Sequence, residues 1–235
     1  MNVTFNIAGD QSILVTFSRQ HIRNETSKSV RKLAELVEQK KVVGMEEVIL
    51  GYSSLLVHYN PMKITYESML QILKELLQQI DLSKREQTNQ VEIPVLYGGA
   101  LGPDLADVAH YHNLSEEEVI RIHTTPSYTV NFLGFTPGFP FLSGLSSKIA
   151  TPRLANPRAR IHAGSVGIAN NQTGIYPVIS PGGWRLIGHT PITLYDPQRN
   201  NPFLLSPGDR VTFKAITKEE HDQLIRQQQG GDSYI

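Results

Sequence analysis

The sequence predicts two units, an α+β domain over residues 1–85 and a mainly-β barrel domain over residues 86–235. Three observations point there. Over roughly the first 80 residues the apolar positions alternate, switch to helical spacing, and then repeat both patterns, which is the signature of strands and amphipathic helices in turn. Ser83 to Gln90 has no aliphatic or aromatic side chain, and such a wholly polar stretch reads as a linker. Residues 134–191 hold 9 of the 18 glycines and 7 of the 14 prolines, a density that leaves room only for short strands joined by tight turns.

Val3, Phe5 and Ile7 alternate with polar neighbours, as do Ile13, Val15 and Phe17, and Gly9-Asp10 supplies the turn of a hairpin. From Asn24 to Lys41 the period changes, with Val30, Leu33, Ala34 and Val37 on one face and Arg31, Lys32, Glu35 and Glu38 on the other. Val48 to Leu50 and Leu55 to Tyr59 form a second hairpin around Gly51-Tyr52-Ser53, and Met69, Leu73, Leu76, Leu77 and Ile80 mark a second helix. Hairpin, helix, hairpin, helix predicts helices on one face of an antiparallel sheet. After the linker Val91, Ile93 and Val95 alternate, Asp104 to His112 reads as a short helix, and Ser115 with Glu118 forms a capping box for another. Phe132-Leu133, Val166 with Ile168, and Ile192 with Leu194 suggest short strands, and Val211 to Phe213 a closing one. Thr217 with Glu220 caps a last helix, and the tail from Gln227 to Ser233 reads as frayed.

Charge is balanced at 22 basic against 22 acidic residues, which argues against a nucleic-acid binder. The balance is uneven along the chain. Val119 to Tyr195, 77 residues, contains no Asp or Glu but holds Arg121, Lys148, Arg153, Arg158, Arg160 and Arg185. A paired-carboxylate glycosidase site or an acidic divalent-metal site cannot be built inside it. The absence of cysteine removes disulfides, thiolate catalysis and Cys-ligated metals. With no apolar run long enough for a membrane span and no signal-peptide pattern at the start, a cytoplasmic protein with no membrane or nucleic-acid partner is expected.

P-loop, dinucleotide and nucleophile-elbow motifs are absent. His110 and His112 fall on different faces of a helix, so no metal is expected. Four stretches remain: GFTPGFPFLSGL from Gly134, TPRLANPRAR from Thr151, HAGSVGIANNQTGIYP from His162 and SPGGWRLIGHTP from Ser180. The first offers turn glycines and an apolar wall, with Gly134, Phe135, Pro137, Gly138, Phe139 and Phe141 as pocket or interface candidates. The second holds Arg153 and Arg158 in place behind prolines, and the others bring Ser165, Gln172, Tyr176, Gly183, Trp184 and His189. A donor-rich, carboxylate-free surface suits a small anion such as a carboxylate or carboxyphosphate-like group, with arginine meeting it bidentately. Against this, Pro-Gly-Gly-Trp is more often a strand corner with a packing tryptophan, Phe139 and Phe141 fit a core, and His123 also fits a helix end.

The four stretches, with the Gly9 to Val15 start, the Tyr97 to Leu105 passage and SPGDRVTF, resemble in order the signature of the KipI/PxpB family, also called the allophanate hydrolase subunit 1 or carboxyltransferase subdomain C and D family. His162 stands where the family usually has proline, and Asn170 where glycine is common. The resemblance implies a ferredoxin-like first domain and a cyclophilin-like second. It further implies work as the B-type subunit of a bacterial ATP-dependent 5-oxoprolinase, which opens the 5-oxo-L-proline lactam to L-glutamate together with a C-type subunit, itself a homologous barrel, and with an A-type subunit. On that reading the isolated chain is inactive and binds no cofactor, ATP being used by the complex. Arg153 or Arg158, with Gln172 and Tyr176, would hold the substrate, and His123 or His189 would carry protons. Two other activities occur among proteins it resembles: the carboxyltransferase part of urea carboxylase, and inhibition of a sensor histidine kinase, for which Phe139 to Phe141 would edge a docking trough. Prolyl isomerase activity does not follow from a cyclophilin-like fold.

Overall fold

A computed structural model describes residues 2–17, 23–83 and 88–229. The chain separates into two compact units, Met1–Gln87 and Thr88–Ile235.

In the first unit β1 (Val3–Ile7), β2 (Ser12–Phe17), α1 (Arg23–Lys40), β3 (Met45–Leu50), β4 (Ser54–Tyr59) and α2 (Tyr66–Gln78) follow one another. The strands form one antiparallel sheet in the order β1-β2-β4-β3. Pairing of Ile13 with Val57 and Val15 with Leu55 brings the alternating apolar residues to one face, because successive strand side chains point to opposite sides. That face meets Val30, Leu33, Ala34 and Val37 of α1 and Met69, Leu73 and Leu76 of α2. Each such side chain taken fully from water contributes about 1.5–3 kcal/mol. The α+β expectation holds, whereas hairpin-helix-hairpin-helix connectivity does not confirm the ferredoxin-like label, which places a helix between the first two strands.

The second unit contains β5 (Gln90–Tyr97), α3 (Leu105–Tyr111), α4 (Glu116–Thr124), β6 (Tyr128–Leu133), β7 (Pro140–Ser143), β8 (Arg158–Ile161), β9 (Ser165–Ala169), β10 (Gln172–Ile175), β11 (Ser180–Gly182), β12 (Arg185–His189), β13 (Arg210–Ala215) and α5 (Lys218–Gln229). Seven strands close a barrel in the order β10-β7-β6-β13-β5-β12-β9, and β8 with β11 makes a separate two-stranded ribbon. All barrel pairings are antiparallel except β5 with β13, which run parallel from Gln90↔Arg210 to Val95↔Ala215. Ile93, Val95, Tyr128, Val130, Val166, Ile168, Ile187, Val211 and Phe213 form the core with Leu105, Val108 and Val119 from α3 and α4. Both predicted capping boxes are present, Ser115 with Glu118 and Thr217 with Glu220.

Three sequence expectations are corrected. Part of the polar run is barrel: the Asn89 amide donates to Asp209 Oδ1 at 3.1 Å and Gln90 opens β5, while its residues 84–87 lie outside the described ones. Ile192 and Leu194 lie outside the strands, in irregular chain tied by a single bridge between Tyr195 and Phe203. Gln227 and Gln228 continue α5, and the Thr193 hydroxyl donates to Gln228 Oε1 at 3.0 Å; the end of the predicted frayed tail falls outside the described residues.

Gly102 lies where the chain crosses β12 so closely that a Cβ would overlap the Ile187 carbonyl. Backbone cannot yield as a flexible side chain can, so Gly102→Ala is expected to destabilise the barrel by about 2 kcal/mol or more, read from urea unfolding.

Candidate functional site

The four motif stretches meet around an aromatic cluster. Phe139, Ile161, Ala169, Tyr176, Trp184 and Leu186 are buried together with Phe141 against them. Phe139 is its hub, with ring centroids 5.0 Å from Phe141, 5.2 Å from Tyr176 and 5.3 Å from Trp184. Edge-on packing of this kind holds rings more tightly than burial alone. Trp184 turns the corner from β11 to β12, and the Gly183 carbonyl accepts from the Leu154 amide at 2.7 Å. Phe139 therefore does not edge an exposed trough. The exposed aromatic of these motif stretches is Phe135, at 65%.

Phe135 is held unusually. Its φ is +66° and the Thr136 amide donates across it to the Gly134 carbonyl at 2.8 Å. That is a γ-turn of the positive-φ type, rare and strained for a bulky residue. The turn is clamped by Gly134 N–H to Phe139 O at 3.1 Å and by buried Gly138 behind exposed Pro137. Thr136 Oγ1 is buried there without a protein hydrogen-bond partner, as is Ser180 Oγ on β11.

The arginines divide sharply. Arg158 forms a two-pronged pair with Asp104, at 2.9 and 2.8 Å, and Asp104 also accepts the Leu186 amide at 2.7 Å. Arg185 reaches Asp107 at 3.2 Å. The acids missing from the segment are thus supplied by the start of α3, and Arg158 is committed to structure rather than to a substrate carboxylate. Arg153 is exposed and rests with Cζ 5.9 Å from the centre of the Trp184 ring, a cation–π contact that leaves its N–H edge open. Among the described residues Arg121, Lys148, Arg153 and Arg160 form no ion pair.

The two histidines are not brought together with Arg153 as proton carriers. His123 is fully buried inside the barrel, Nδ1 2.7 Å from Tyr97 Oη and Nε2 2.9 Å from Thr173 Oγ1. Thr173 donates to the Gly167 carbonyl at 3.0 Å, so it accepts from His123 Nε2–H and Nδ1 accepts from Tyr97. Burial lowers the His123 pKa to about 3. It is a neutral core residue that ties α4 to β5 and β10, strands that are not neighbours in the barrel. His189, closing β12, is occupied on both nitrogens, by Ala163 O at 2.8 Å and His221 Nε2 at 2.9 Å. Tyr176 is buried at the aromatic cluster, and burial pushes its hydroxyl up to about 12, so it stays a donor. Gln172 is half-buried at the start of β10, and buried Ser165 opens β9. Asn170 adopts φ +52°, a conformation asparagine tolerates better than most residues.

Sequence reasoning names none of Asp104, Tyr97, Thr173 and His221 as a site residue, although Tyr97 and Asp104 fall within the Tyr97 to Leu105 passage of the resemblance. Asp104 stands 54 residues from Arg158, and no local spacing signals the pair. Among the described residues no three His, Asp or Glu side chains gather as a metal site, and no helix is long and apolar enough to cross a membrane.

The profile of the "carboxyltransferase domain, subdomain C and D" matches residues 3–205. The chain is 42% identical to the 5-oxoprolinase B-type subunit of Bacillus subtilis over 94% of its length and 97% of that protein. It is 57% identical to the 5-oxoprolinase B-type subunit of Escherichia coli over 52% of this chain and 56% of that one. The fold recurs in the Kluyveromyces lactis urea amidolyase at TM-score 0.80 and 23% identity, covering 98% of this chain and 16% of that larger one.

Two expectations follow. Arg158→Ala strands a buried carboxylate and is expected to cost about 3 kcal/mol of stability, against about 0.5 kcal/mol or less for Arg153→Ala, both measured by urea unfolding. Because the unfolded chain protonates His123 below its ordinary pKa and the native barrel does not, stability falls as pH falls from about 6.5 toward about 3. Between about pH 6.5 and 5, His123→Gln should remove about 2 kcal/mol of that fall; an unchanged pH slope would refute the neutral assignment.

Proposed function

The chain belongs to the carboxyltransferase domain, subdomain C and D family, and from that premise we propose that it serves as the B-type subunit of a cytoplasmic 5-oxoprolinase. With the A-type and C-type subunits it takes part in the ATP-dependent addition of water across the lactam C–N bond of 5-oxo-L-proline, yielding L-glutamate. The observation that supports this most is the similarity to the B-type subunit of Bacillus subtilis along nearly the whole of both chains. The site agrees in its chemistry. 5-Oxoproline carries one carboxylate, and Arg153 is the arginine of the motif loops that lies exposed, unpaired and oriented by an aromatic face. Its guanidinium receives the carboxylate, with the neutral Tyr176 hydroxyl of the same cluster and the Gln172 amide as further polar groups.

This chain supplies no carboxylate base within its motif loops, since Asp104 and Asp107 are engaged by arginines. It supplies no phosphate cradle by motif. General-base chemistry and ATP binding therefore fall to the partner proteins of the complex, and the part taken here is binding and orientation.

Co-expression with candidate A-type and C-type subunits is expected to yield ATP-dependent glutamate release from 5-oxoproline, measured with glutamate dehydrogenase. No release from an assembled complex would overturn the proposal. Within it, Arg153→Ala is expected to raise KM about tenfold or more with kcat little changed, as loss of uniform substrate binding requires. Unchanged KM removes Arg153 from substrate binding.

A further inference from the structure

His189 makes two hydrogen bonds whose directions are forced. The Ala163 carbonyl can only accept, so His189 Nε2, 2.8 Å away, must carry the proton. Its Nδ1 is then an acceptor, and the group 2.9 Å from it is Nε2 of His221 on α5, which must be the donor. The rings meet edge to face, with centroids 5.1 Å apart at 66°. Burial lowers the His189 pKa, the bond to the Ala163 carbonyl raises it by less, and His221 and His162 add smaller lowering contributions, a net direction in keeping with a neutral ring.

The carbonyl that His189 holds belongs to a tight loop. The Ser165 amide donates to His162 O at 3.2 Å, Gly164 N–H to Tyr176 O at 2.7 Å, and Thr190 N–H to Gly164 O at 2.9 Å. Gly164 has φ +84°, and a Cβ there would collide with the Thr190 carbonyl and the His189 imidazole. The ring is therefore a wall of the loop as well as its hydrogen-bond donor. His221 is 3% exposed, its backbone N–H bonds Thr217 O at 3.0 Å within the capped first turn of α5, and its Nδ1 is buried without a hydrogen bond, Asp222 Oδ1 lying 3.6 Å away. A buried imidazole with one nitrogen unserved carries a cost, and the side-chain hydrogen bond it makes is the one to His189.

We infer that His221 is a positioning residue: its Nε2–H serves the Nδ1 lone pair of the Nε2-protonated His189, and through that ring it holds the 162–165 loop against Tyr176. The last helix thereby reaches the motif loops although it lies beyond residues 3–205, where the family profile matches. That this loop serves substrate rests on the function proposed above; the tautomer does not.

Long-range 1H–15N correlation of histidine-labelled full chain near pH 7.5 tests the inference without any enzyme assay. His189 is expected as a single tautomer protonated at Nε2. His221→Gln, whose amide N–H can replace the donor, should keep it. His221→Leu, which leaves the Nδ1 lone pair without a donor, should shift the His189 Nδ1 resonance and speed Gly164 amide exchange about tenfold or more. His189 protonated at Nδ1 in the unsubstituted chain overturns the inference, as does an unaltered His189 in His221→Leu. Should His221→Leu not fold, the first two measurements decide. In an active complex His221→Leu should lower kcat/KM for 5-oxoproline and His221→Gln restore it; an inactive complex whose NMR result holds counts against the proposed function and not against the tautomer relay.

Discussion

The carboxylate of Asp104 joins three parts of the chain that sequence keeps far apart. It receives both prongs of Arg158 from the β8–β11 ribbon and the Leu186 amide from β12, while its own backbone N–H returns a bond to Leu186 O and its carbonyl receives Val108 N–H to start α3. With Asp104 only 4% exposed, those donors are what make an ionised carboxylate tolerable there. The ribbon it anchors runs beside the aromatic cluster, and the cluster in turn orients Trp184 beneath Arg153. The placement of the candidate anion-binding arginine thus depends on a carboxylate that touches no substrate.

This arrangement changes the meaning of the acid-free segment. Six cations without acids along 77 residues of sequence suggested a carboxylate-free surface suited to a small anion. In three dimensions α3 reaches in with Asp104 and Asp107 and neutralises Arg158 and Arg185. Charge patterning along a chain reports the chain's own neighbours, whereas the field at a site is set by whatever folds against it.

What was legible in the sequence was local. Alternation in β1 and β2, the helical stripe of Val30, Leu33, Ala34 and Val37, and both capping boxes follow from periods and spacings of a few residues. The tryptophan corner at Gly183-Trp184 was legible too. Pairings across the fold were not: Arg158 with Asp104, His123 with Tyr97 and Thr173, and His189 with His221 each span between 26 and 54 residues. Ile192 and Leu194 misled because an apolar pair at spacing two also suits irregular chain with one residue inward, and only Leu194 is buried. Phe135 shows the opposite limit, since no propensity rule places a large aromatic at positive φ, and the surrounding turn must impose it.

The parallel pairing of β5 with β13 sets the order of events in folding. It joins Gln90 to Arg210 and is reinforced by Asp209 accepting from Asn89, 120 residues away in sequence. Closing a loop of that length costs about 4 kcal/mol in chain entropy before the contact is rewarded. The barrel's first strand is therefore synthesised long before its parallel neighbour exists, and its exposed edge must wait unpaired. The first unit, whose hairpins close locally, has no such delay. Nascent chains should accordingly pass through a stage in which one unit is folded and the other is an open, apolar sheet, the stage most exposed to aggregation during synthesis.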